Sequence, residues 1–167
     1  RSPSRGLGDV YKRQVIYNMT GTTPSAWNDP VKGGELTKAQ VSQGADVVYH
    51  AAGGTGVGVL QAAADAGILG IGVDKNQNHL HPGSVLTSMV KRVDTGVYDS
   101  FKAGADLAGG FATLSLANGG ISYSMDEHNV GLVTKAMVDA VEQAKAQIIS
   151  GELKVHDYMS DSSCPVK

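Results

Sequence analysis

Four glycines fall within six positions at Gly53, Gly54, Gly56 and Gly58, after the apolar run ADVVYHAA and before VLQAAADAG. Bare backbone at a strand-to-helix junction lets a ligand reach N–H groups, and the start of the helix adds partial positive charge. A Walker-type phosphate loop needs Lys and Ser or Thr directly after its last glycine, but Val59 follows Gly58. The dinucleotide fingerprint Gly-x-Gly-x-x-Gly begins with Gly54 and Gly56 and then fails, because Val59 holds its last place. Two uses remain: a cradle for some other ligand, or tight strand-to-helix packing. The loop alone does not choose between them.

Asp74 bears on that choice. It ends the next apolar run, ILGIGVD, and a parallel sheet would bring it to the edge where open α/β sheets place ligands. A carboxylate there can accept two hydrogen bonds from a vicinal diol such as a ribose 2′,3′-diol, each contributing about 1.5–3 kcal/mol. The plain alternative is a turn-forming Asp ahead of KNQN. Trp27, the one tryptophan, lies near polar Ser25 and Asn28 rather than in an apolar run. Its indole suits stacking on a nucleobase, worth about 1–3 kcal/mol, although a tryptophan more often serves a core.

Other chemistry lacks its parts. His79 and His81 stand two apart beside Pro82, and His128 follows Asp126 and Glu127, while His50 stands elsewhere. No thiol or Glu pair completes a metal set, so neither metal nor cofactor is expected. The nucleophile elbow Gly-x-Ser-x-Gly is missing, and Ser88 and Ser124 have no evident base.

These residues need elements to carry them. VIYNMTG reads as a short strand. Asn28 or Asp29 can cap a helix with Pro30 in its first turn and a stop at Gly44, although Gly33 and Gly34 weaken its start. ADVVYHAA suits a parallel strand covered on both faces, Thr55–Ala66 a second helix closed by Gly67, and ILGIGVD a third strand. KNQNHLHPG is a polar loop, SVLTSMVKRV strand-like, and a helix from Asp94 or Thr95 to about Leu107 follows. FATLSLANGGISYSM suggests two strands about a turn at Asn118-Gly119-Gly120. TKAMVDAVEQAKAQIISG is a helix by the spacing of Met137, Val141, Ala144 and Ile148, ended by Gly151. Strand, helix, strand, helix, strand over residues 15–74 predicts an α/β fold with a parallel sheet.

At 167 residues with 41% hydrophobic and 18% charged content, the chain suits one folded domain rather than disorder. A net charge of -2 supplies no basic footprint, so nucleic acid is not an expected partner. No apolar run reaches the length needed to cross a bilayer. Residues 1–14 hold four of the 14 Lys and Arg and show no period, and are read as a foreign or disordered leader. Cys164 stands alone in a polar tail.

AWNDPVKGGEL, QGADVVYHAAGGTGVGVLQAA, GIGVDKNQNHLHPGSVLTSMVKRVD and KVHDYM follow one another between residues 15 and 159. Together they resemble the basic membrane protein (BMP) family, substrate-binding proteins of ABC importers related to purine-nucleoside receptors. The resemblance implies a type I periplasmic binding fold, here incomplete and mostly its second lobe. Residues 15–72 and 110–159 would form that lobe, 73–109 a first-lobe excursion, and 160–167 a tail. Trp27 would flank the base, Gly53 and Gly54 would approach the sugar, Asp74 would grip the ribose hydroxyls, and Lys91 would reach the ligand. Lys75, a cation beside Asp74, departs from the small polar residue expected there.

The function implied is binding of a nucleoside, expected to be a purine nucleoside, without chemistry. The partner implied is an ABC permease, and the location is the periplasm or a lipid anchor at the cell envelope. Rival readings are a nucleotide-using Rossmann-like enzyme and a ligand sensor on the same fold. With much of one lobe absent, a patch around Val85, Leu86, Met89 and Val90 is expected to lie uncovered.

Overall fold

The structure is a computed structural model that describes residues 14–162. Most of the leader and the last five tail residues, Cys164 among them, lie outside the described residues. Four strands, β1 (Val47–Tyr49), β2 (Leu69–Asp74), β3 (Val85–Lys91) and β4 (Ile121–Tyr123), form one sheet in that spatial order. β1, β2 and β3 run parallel, and β4 closes against β3 in the antiparallel sense. The helices are α1 (Pro30–Ser42), α2 (Gly56–Asp65), α3 (Val93–Ala103), α4 (Lys135–Ser150) and α5 (Tyr158–Asp161).

α1 begins as its residues require: the Asp29 carboxylate accepts the Lys32 N–H and Pro30 takes the first turn. α2 lies on β1 and β2, and Val48, Val59 and Ala63 make the core with Ile68 against it. α1 packs on α2. At Gly58 an added Cβ would fall onto the Pro30 carbonyl, so the two helices meet backbone to backbone. A glycine that weakens a helix as a chain property here permits its packing.

Several expectations need correction. Residues 15–21 form no strand; Val15, Tyr17 and Met19 are exposed, because no described strand offers them a ladder. β1 is covered on one face only, with Val48 buried and Val47 and Tyr49 exposed. The pair of strands about Asn118 reduces to β4 alone. Asn118 Oδ1 accepts from the Ser115 and Gly120 N–H groups and its amide donates to the Thr113 carbonyl. Local side-chain bonds thus take the place of a hairpin ladder, and β4 pairs with β3 instead.

One further correction concerns β3. It pairs with β2 from Gly70↔Val85 to Asp74↔Val90, past one irregularity after Gly70. Residues 85–91 therefore lie in one sheet with β1 and β2. Val85 is buried and Leu86, Met89 and Val90 are half-buried. Exposed apolar side chains lie elsewhere, among them Val93, Val97, Tyr98 and Phe101 on α3 and Met137, Val141 and Ile149 on α4.

Candidate functional site

Parallel strands put their carboxyl ends on one edge, and the candidate residues follow β1, β2 and β3 there. Gly53 and Gly54 come after β1, Asp74 ends β2 and Lys91 ends β3. Trp27 reaches the glycine loop from the 3-10 turn Pro24–Trp27. A Cβ on Gly53 would stand 3.5 Å from the indole Cε3, and one on Gly54 would stand 3.3 Å from the Trp27 carbonyl. Asp74 and Lys91 form an ion pair at 2.7 Å. The structure thus gathers Trp27 with Gly53 and Gly54, and Asp74 with Lys91, along one sheet edge.

Thr55 holds the first group. Its buried hydroxyl donates to the Ala26 carbonyl at 2.7 Å and accepts the Asp29 N–H at 2.7 Å. That single side chain pins both flanks of Trp27 to the start of α2. Gly56 serves packing: an added Cβ would fall onto the His50 ring. The loop is therefore divided. Gly56 and Gly58 make room for His50 and Pro30, while Gly53 lies beside the indole, Gly54 beside the Trp27 carbonyl and Asn28, and both are at least partly exposed.

The edge is open. Trp27 is 60% exposed, and the side chains of Asp74 and Lys91 are 50% and 55% exposed. The Lys91 ammonium is held above its usual pKa by its hydrogen bond to Asp74 and by that residue's charge. Beneath this rim the groups are buried and polar. His50, 4% exposed, meets Gln77 Oε1 through Nε2 at 3.1 Å, and burial pushes its pKa down against the smaller opposing effects of Gln77 and Asp74. Gln77 N–H donates to Ser88 Oγ at 3.0 Å, and Ser88 Oγ donates to Asn78 Oδ1 at 2.8 Å. Asn78 and Asn76 both donate to the Asp126 carboxylate, and Asn76 leads the causes that hold its pKa below the usual range.

Sequence reasoning overlooks this second row. KNQNHLHPG reads as a polar loop, yet Gln77 and Asn78 are buried. The signal for it is the loop's amide content, Asn76, Gln77 and Asn78 in succession, since amides satisfy backbone and side-chain groups at once. The histidines gather no metal set: among the described residues no cluster of three or more His, Cys, Asp or Glu could hold an ion.

Known proteins are similar to this chain in sequence and fold. Residues 12–158 match the family described as ABC transporter substrate-binding protein PnrA-like. A nucleoside-binding protein of an ABC transporter from Lactococcus lactis subsp. cremoris, BmpA, is 33% identical over 151 residues, covering 78% of this chain and 41% of that protein. A crystal structure of an ABC transporter solute-binding protein from Aeropyrum pernix superposes with a TM-score of 0.69 at 28% identity, over 82% of this chain and 46% of that one. A transcriptional activator of the comK gene from Bacillus halodurans also gives 0.69, at 26% identity over 79% and 46% of the two chains. The chain thus spans less than half the length of these relatives. It belongs to the family of PnrA-like substrate-binding proteins of ABC transporters.

Proposed function

We propose that the chain carries one wall of a ligand cleft that binds a nucleoside, expected to be a purine nucleoside, for delivery to a membrane permease, without chemistry on the ligand. The observation that carries this reading is the pairing along one sheet edge of an exposed indole beside bare glycine backbone with an exposed carboxylate. An indole offers a face to a base, and a carboxylate two acceptors to a vicinal diol. Lys91 holds the Asp74 carboxylate in place through their ion pair, and can follow the ligand when Asp74 turns to the hydroxyls. The location proposed is outside the cytoplasmic membrane, in the periplasm or on a lipid anchor, where an importer's receptor meets its solute. The opposing wall would come from the remaining length that the relatives possess.

Calorimetry of the complete protein with adenosine and adenine tests it. Asp74→Ala should weaken adenosine by roughly 2–3 kcal/mol and adenine far less. Equal losses for the two would exclude the ribose role. The likeness to a transcriptional activator supports a second reading, ligand sensing with the same cleft. Ligand-dependent stimulation of a permease ATPase, against ligand-dependent effects on a promoter, separates the two.

A further inference from the structure

Asp74 has a φ of 70°, in the region that favours glycine, and the Lys75 N–H donates across it to the Val73 carbonyl at 2.9 Å. A three-residue turn with positive φ at its centre is the rare, strained form, and such backbone persists only where its surroundings over-determine it. The pairing of β1 with β2 ends at Tyr49↔Ile71, so Val73 has no β1 partner. Gln77 supplies one: its Oε1 accepts the Val73 N–H at 2.9 Å and contacts His50 Nε2 at 3.1 Å. Because an oxygen must face Val73 N–H, His50 carries its proton on Nε2. Nδ1 is then a buried lone pair without a partner among the described residues. Gln77's own N–H is fixed by buried Ser88, and Gly72 leaves it space, since a Cβ there would stand 2.8 Å from Gln77 Oε1.

The geometry points to Gln77 as the positioning residue for Asp74: its side-chain oxygen ties the end of β2 to His50 and holds the strained turn that aims the carboxylate at Lys91 and the cleft edge. Gln77 acts through Asp74 and not on the ligand. The consequence for binding rests on the nucleoside reading above, while the geometry does not.

Gln77→Met removes the acceptor at similar length, and Gln77→Glu keeps an oxygen in its place. In the complete protein, Gln77→Met should move the NMR titration of the Lys91 ammonium down toward the usual lysine value and speed exchange of the Val73 and Lys75 amides. It should weaken adenosine about tenfold to a hundredfold and leave adenine nearly unchanged. Gln77→Glu should restore all of these. A folded Gln77→Met with the parent's Lys91 titration and Lys75 exchange overturns the proposal. Should Gln77→Met not fold, Ser88→Ala, which loses the acceptor of the Gln77 N–H, takes its place. A lowered Lys91 titration and faster Lys75 exchange in Ser88→Ala support the proposal, and parent values of both overturn it. If the parent protein binds no adenosine, the nucleoside reading fails, and the Lys91 and amide measurements still decide the role of Gln77.

Discussion

α2 and α4 are both amphipathic helices closed by a glycine, yet they differ in what they bury. α2 buries Val59, Leu60, Ala62 and Ala63 against the sheet and α1. α4 buries nothing among the described residues, although Thr134 caps it, Lys135 pairs with Asp139 and left-handed Gly151 ends it. α3 is like α4, with Phe101 83% exposed on its apolar stripe. Local signals are thus enough to form a helix, and packing is a separate matter supplied by the surroundings. The apolar stripes of α3 and α4 have no such cover among the described residues.

Leu60→Ala against Phe101→Ala gives the largest contrast. Leu60 is 1% exposed, and its loss should cost about 3 kcal/mol in urea unfolding, transfer and cavity terms together. Phe101→Ala should cost less than about 0.5 kcal/mol. A Phe101 cost above about 1 kcal/mol would show that α3 is covered in solution and break the comparison. Amide exchange sharpens it: α2 and β2 should exchange only by global opening, and α3 and α4 by fraying.

The same division explains what could be read from the sequence. α1, α2, α4, β2 and β3 stand close to where caps, periodicity and glycine stops put them, because those signals are local. The strand expected at 15–21 is missing because a strand needs a partner, which no run of apolar residues declares. The places of Gly53 and Gly54 after a strand and of Asp74 at a strand end were legible from local pattern, whereas Lys91 entered only through the family resemblance; their role toward a ligand belongs to the proposal above. Thr55, His50 and Gln77 were not legible, since Thr55 bonds to Ala26 and Asp29 and His50 to Gln77 across 26 to 29 residues of sequence. The positive φ of Asp74 was invisible as well, Asp being ordinary before a loop.

Within the packed region the carboxyl edge is the costly part, and pH exposes one cost. Burial lowers the His50 pKa from 6.5. The unfolded chain therefore takes up a proton near that value while the folded chain does not. Stability should fall as pH drops below about 6.5, by no more than about 1.4 kcal/mol per pH unit for one proton, and level off below the folded pKa. His50→Gln should flatten that slope in pH-dependent urea titrations. An unchanged slope would place the titrating group elsewhere.

The last and smallest effect concerns the strain at Asp74. Glycine adopts a φ of 70° without a Cβ clash, whereas alanine keeps the clash and loses the carboxylate. Both substitutions remove the ion pair with Lys91, which is half exposed and contributes little to stability. Their difference therefore isolates the backbone. Glycine also makes the unfolded chain more flexible, which offsets part of the relief. Asp74→Gly should still be the more stable variant by about 1 kcal/mol, while both lose the carboxylate equally. A residue at which glycine is better tolerated than alanine is one whose backbone is strained, whatever its side chain does. Equal melting of the Gly and Ala variants would show that the turn is unstrained in solution, and the edge around Asp74 would then be ordinary loop.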